Sequence, residues 1–131
     1  MVKAKRLILV LAALSGFSAV ALGAFGAHIL SDRLTSRMLE VYNTGVLYHL
    51  VHSVVLLAIA LSNYKLTKSF WFIFIGIILF SFSLYVYTIT GITFLAIITP
   101  FGGVSFLIGW LMIIYEVFKI KKKINSTVKF M

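Results

Sequence analysis

No cysteine occurs in the 131 residues, which excludes disulfide scaffolds, thiolate metal centres and cysteine nucleophiles and leaves the redox compartment unspecified. Acid is nearly as scarce. Asp32, Glu40 and Glu116 face twelve Lys and Arg, for a formal charge of +9 with histidine neutral. Paired carboxylates for acid–base work are poorly supplied, because Asp32 and Glu40 share one polar interval while Glu116 is expected on the opposite side of the membrane. Ser15 and Ser18 lie beside Gly16, but no serine occupies the Gly-x-Ser-x-Gly elbow that an α/β-hydrolase needs. The expectation is a chain that is not an enzyme and takes no cofactor. What is abundant is apolar: 62% hydrophobic and 15% aromatic residues against 11% charged, at a mean hydropathy of +1.11. A soluble domain this small cannot hide that much apolar surface, so the bulk solvent is read as lipid.

Leu7 to Ala27 carries no charge and, at 1.5 Å per residue, is about 31 Å long, enough to cross a bilayer core. A secretory signal peptide would begin in the same way, with Lys3, Lys5 and Arg6 ahead of the apolar run and Ala21 and Gly23 as a weak cleavage pattern. Against cleavage, the run passes straight through that site, and Ser15, Ala19, Gly23 and Ala27 recur every four residues as a close-packing face. Ser31 to Glu40 contains four charges that cancel and must lie outside the core; Ser36 or Thr35 is placed to cap a helix running into Gly45 to Ser62. Asn63 to Ser69 reads as a short turn, and Phe70 to Ile89 as a third span with Trp71 at one interface and Tyr85 and Tyr87 at the other. Beyond it, Gly91 to Thr99 reads as a connection and partial helix near the surface, with Pro100 starting a fourth span over Phe101 to Phe118. An uninterrupted helix through Pro100 is the competing reading.

The fold expected is an all-α integral membrane protein, an antiparallel bundle of four transmembrane helices over residues 1–118 with a basic cytoplasmic tail over 119–131. Ten Lys and Arg fall before the first span, in the loop after the second and after the fourth, against Arg33 and Arg37 on the other side. That bias places both termini in the cytoplasm of a multi-pass protein. The first and fourth helices are expected to pack together through their small residues, Ser105 and Gly109 serving the fourth, while the third turns its aromatic surface outward. Ser81 and Ser83 are expected to bond to preceding helix carbonyls, and Glu116 to pair with Lys119.

The polar residues with functional potential are His28, Glu40, Tyr48, His49 and His52. His49 and His52 are three apart in the second span, roughly 9 and 14 Å inward if the core begins near Asn43. At that depth ionisable groups face the bundle interior, a cavity or a polar partner. Three uses stand open on the residues alone: hydrogen bonds that fasten helices, a proton or solute route, and a metal site in which His28 or Glu40 joins the pair. The first is favoured. The leading function is a non-enzymatic structural or partner-binding bundle; transport of a proton or small solute in an oligomer is the main alternative, and histidine-based metal binding the second. Expected partners are membrane lipids and a second copy or another membrane protein, with no nucleic acid.

Four motifs, in order, carry a resemblance: GAFGAH over Gly23–His28, YHLVH over Tyr48–His52, FSFSLY over Phe80–Tyr85 and TPFGGVSFLIGW over Thr99–Trp110. Together they resemble the small membrane proteins of the domain-of-unknown-function family 423, the YgdD-like proteins, nearly the whole way through Tyr115. The resemblance implies an integral protein of the bacterial inner membrane with several helices, and it supplies no catalytic role. Phe82 departs from a Phe-Ser-Gly-Ser pattern in that family and puts a bulky ring where close helix approach would otherwise be expected.

Overall fold

In hydrocarbon every backbone N–H and C=O must find its partner within the protein, and an apolar segment does this locally only as a helix. The computed structural model describes the backbone of residues 2–129 and the side chains of residues 3–119, all but the connections in helical turns. α1 spans Val2–Phe25 and continues into a π-helical turn over Gly26–Leu30. α2 spans Ser36–Leu61. The third span is built from α3 (Thr67–Ile77), a second π turn (Ile78–Phe82) and α4 (Ser83–Thr90), and α5 spans Thr93–Lys129. Among the described residues four stretches, Lys3–Leu30, Ser36–Leu61, Thr67–Thr90 and Thr93–Lys119, are long and apolar enough to cross a membrane. The expected basic tail over 119–131 lies, beyond Lys119, outside the described side chains.

The ends are set by local chemistry. Thr35, in extended conformation, accepts the Met38 N–H on its Oγ1 at 3.3 Å and so starts α2 as one of the two expected caps. Gly91 stops α4: its φ of 72° is costly for any residue with a Cβ, and its N–H donates to the Tyr87 carbonyl at 2.8 Å. Only Gly91 and Ile92 then connect the last two spans, so the surface segment expected over 91–99 is instead the first two turns of α5. Pro100 sits inside that helix rather than at its start. The proline ring withholds one donor, while Thr99 Oγ1 donates to the Leu95 carbonyl at 3.2 Å in the same turn. Phe94 and Ile97 stay exposed, as lipid-facing residues of a span.

The spans are laid out in chain order. α1 packs on α2, α2 on the third span, and the third span on α5, while among the described residues α1 and α5 share no packed interface. Burial follows this layout: 44% of the apolar stretch is buried in each inner span, against 17% in the first and 22% in the fourth. Two expectations are therefore corrected. The small-residue face of α1 meets α2, with Ala12, Ser15 and Ala19 buried and Gly23 against Val46. The small residues of α5 meet the third span, where Gly109 faces Ile73 and Ser105 Oγ donates to the Phe72 carbonyl at 2.7 Å. The third span is thus an interior helix, with Phe70, Ile73 and Ile77 fully enclosed, and Tyr85 is buried at 3% exposure instead of anchoring an interface. With two neighbours to cover it, that span has apolar surface to bury on both sides.

Two apolar clusters result. One gathers Leu56, Ile59, Phe70, Ile73, Ile77 and Phe106 toward the Lys65 end, and the other holds Leu30, Tyr42 and Tyr85 toward the opposite end. The two histidines of α2 fall between them along the helix.

Candidate functional site

α2 is the helix on which the site is built, because it carries both buried histidines and has a packed span on either side. His49 is 1% exposed and turns toward α1 and α4. Its Nδ1 lies 3.1 Å from the Tyr85 hydroxyl and its Nε2 3.4 Å from Ser18 Oγ. Ser18 spends its own proton on the Ser15 carbonyl at 2.9 Å, so Nε2–H donates to Ser18 and Nδ1 accepts from Tyr85. Phe82, whose bulk is expected to hold helices apart, instead lays its ring 5.4 Å from the imidazole and 5.6 Å from Tyr85. Close approach is retained one turn earlier, where Gly45 admits the Tyr85 ring and the Ser81 carbonyl.

His52, 6% exposed, turns toward α5. Its Nδ1–H donates to the Tyr48 carbonyl at 2.8 Å, and the Trp110 indole N–H donates to its Nε2 at 3.4 Å. The ring stacks on Phe106 with centroids 3.7 Å apart and planes 14° from parallel, and Tyr48 lies parallel on the same helix at 5.9 Å. The two histidines therefore carry their protons on opposite nitrogens, and each uses one donor and one acceptor. That is the complement of a neutral imidazole.

A further polar rung joins α1 to α2. Ser15 Oγ and Ser53 Oγ are 2.7 Å apart and buried. At the outer end of α2, Tyr42 donates to the Leu22 carbonyl at 2.7 Å, and Gly26 leaves the room its ring needs. Ser83 Oγ lies 2.8 Å from both the Phe80 carbonyl and Thr99 Oγ1 and has one proton to share between them, so the expected bond to a preceding helix carbonyl is within its reach. Ser81 does not follow: its hydroxyl is buried with no hydrogen-bond partner among the described residues. It lies in the π turn, where carbonyls one turn back are offset from their α-helical positions.

Of the five residues singled out in the sequence, the structure encloses His49 and His52 and leaves Tyr48 40% exposed beside them. His28 and Glu40 are exposed on the polar side and do not join the pair. Among the described residues no three His, Cys, Asp or Glu side chains converge as a metal site would need. Sequence reasoning missed Ser18, Ser53, Tyr85, Phe106 and Trp110 as histidine neighbours or linked polar groups. It also gave Glu116 the wrong partner. The Glu116 carboxylate accepts the backbone N–H groups of Lys68 and Ser69, each at 3.2 Å, and the Ser69 hydroxyl at 2.6 Å. A side chain of α5 thereby caps α3, whose own N-cap residue, Leu66, offers no polar atom.

A family model described as a protein of unknown function, DUF423, matches residues 22–103, a stretch containing both buried histidines and Tyr85. The chain is 45% identical over 123 residues to a UPF0382 membrane protein of Haemophilus influenzae, covering 89% of this chain and 98% of that protein. It is 42% identical over 120 residues to the UPF0382 membrane protein YwdK of Bacillus subtilis, covering 87% and 98%. To the UPF0382 inner membrane protein YgdD of Escherichia coli K12 it is 38% identical over 124 residues, covering 90% and 94%. No solved structure matches the chain.

Proposed function

This chain belongs to the DUF423 family and is a multi-pass protein of the bacterial inner membrane, and from that premise we propose that it is a non-enzymatic helical scaffold. It acts by holding a second copy or another membrane protein against its outer spans, while the histidines serve as neutral fasteners between helices. One observation carries the reading: each buried imidazole meets one acceptor and one donor, on opposite nitrogens, within walls of aromatic rings. A proton relay works by exchanging protons, and a ring whose two nitrogens are matched to a single neutral tautomer gains nothing from doing so. The excess of Lys and Arg at one face supports an orientation with both termini in the cytoplasm.

The test uses the purified chain in detergent and in liposomes. His49→Ala and His52→Ala are expected to lower the thermal unfolding temperature, and the parent is expected to show no proton flux above empty liposomes. Flux in the parent that either substitution abolishes, with folding intact, overturns the reading in favour of transport.

A further inference from the structure

A second polar feature lies at the other end of the molecule from His28 and is independent of the histidines. Between the start of α1 and the connection from α2 to α3 there is a cleft of about 480 Å³, within the range of small-molecule sites. Its walls carry one cation each, Lys5 on α1 and Lys65 on the connection, with Asn63 between the spans. Its lower part is aliphatic, formed by Ile8, Ile59 and Ala60. No carboxylate lines it, and Glu116, the acid at the start of α3, is committed to Lys68 and Ser69.

The position fixes the solvent on either side. Lys5 precedes the charge-free run that begins at Leu7, and Lys65 stands between two spans, so both ammonium groups lie at headgroup level. Ile8 and Ile59 belong to the spans themselves and lie at the level where acyl chains begin. A cleft that is cationic at its mouth and aliphatic beneath is matched to a ligand with a phosphate above hydrocarbon. We propose that it binds an anionic glycerophospholipid of the adjoining leaflet, Lys5 and Lys65 holding the phosphate and Ile8, Ile59 and Ala60 receiving the first methylenes. Free phosphate shares the first half of that recognition but has no use for the second.

The test measures lipid retained by the full chain in detergent, by native mass spectrometry and by thermal shift, with phosphatidylglycerol, phosphatidylcholine and inorganic phosphate as probes. Phosphatidylglycerol is expected to be retained in preference to phosphatidylcholine. The Lys5→Gln/Lys65→Gln variant is expected to lose about thirtyfold in phosphatidylglycerol affinity, the effect of two basic groups near a membrane surface. Both lysines are exposed, and the lipid-free variant is expected to unfold at the parent's temperature. Arg33→Gln/Arg37→Gln, which removes the same charge at the opposite face, is expected to leave retention unchanged. Equal retention of the two lipids, undiminished retention by the lysine variant, or an equal loss in the arginine variant overturns the site. Lysine-dependent protection by inorganic phosphate equal to that by phosphatidylglycerol overturns the lipid assignment.

Discussion

His49 touches residues of two other spans, so deleting its ring leaves the Tyr85 hydroxyl without its acceptor and takes from Ser18 the donor to its oxygen. His49→Ala is expected to cost about 1–3 kcal/mol, the range for leaving buried polar groups unpaired. Tyr85→Phe keeps the packing and leaves only His49 Nδ1 unpaired, and is expected to cost about 1 kcal/mol, with a coupling to His49 near the roughly 0.6 kcal/mol typical of such bonds in membranes. Unfolding measurements on the two variants and the double variant check this, and strictly additive costs would show that the two side chains are not bonded. Nitrogen-15 NMR at neutral pH is expected to find His49 protonated on Nε2 and His52 on Nδ1; a doubly protonated ring, or the same tautomer at both, contradicts the assignment. The inward placement of these residues was legible in the sequence, because hydrocarbon is a poor host for a lone imidazole. Their partners were not. Residues three apart on an α-helix differ by about 60° around its axis, enough for His49 to meet α1 and α4 while His52 meets α5.

Between elements, the closest approach is made by Gly102, where an added Cβ would run into the Phe80 backbone nitrogen and the Leu79 carbonyl carbon. Backbone cannot swing aside as a side chain can. Gly102→Ala is expected to cost about 3 kcal/mol, at the upper end of overpacking, whereas Gly16→Ala, with nothing within 4 Å, is expected to change thermal stability by less than about 0.5 kcal/mol. The cap on α3 gives a second expectation: Glu116→Ala removes the carboxylate that accepts both backbone N–H groups and is expected to cost about 1 kcal/mol. Hydrogen exchange should accelerate at the Lys68 and Ser69 amides; unchanged exchange there would refute the cap. Span positions were readable from charge-free length and from Thr35, which acts on its own neighbours. Pro100 misled because its first-turn preference is local, while the close seat of Gly102 on the third span comes from elsewhere in the chain.

At the scale of the molecule, α1 packs chiefly on α2 among the described residues, so it should loosen without disturbing the rest. Ala19, fully enclosed at that interface, supplies the probe: Ala19→Leu is expected to overpack it by about 1–3 kcal/mol. Exchange protection should fall along α1 while the pairing of α5 with the third span persists; uniform loss across all four spans would show a more cooperative bundle. The native chain has no cysteine, so an introduced thiol is a unique label. Ser31→Cys is expected to react with an impermeant maleimide on intact cells, and Ser62→Cys only after permeabilisation. The reverse pattern would invert the proposed orientation.

Composition and the distribution of charge determined by themselves that this chain lives in lipid, crosses it four times and buries two imidazoles, because the cost of placing polar groups in hydrocarbon is paid position by position. Tertiary structure alone decided which spans are interior, which nitrogen of His49 bears the proton, which residue meets the free nitrogen of His52, and that Glu116 serves α3. Those outcomes depend on residues 31 to 58 positions apart in the chain meeting at hydrogen-bond distance, and no spacing within one helix encodes the choice of neighbour.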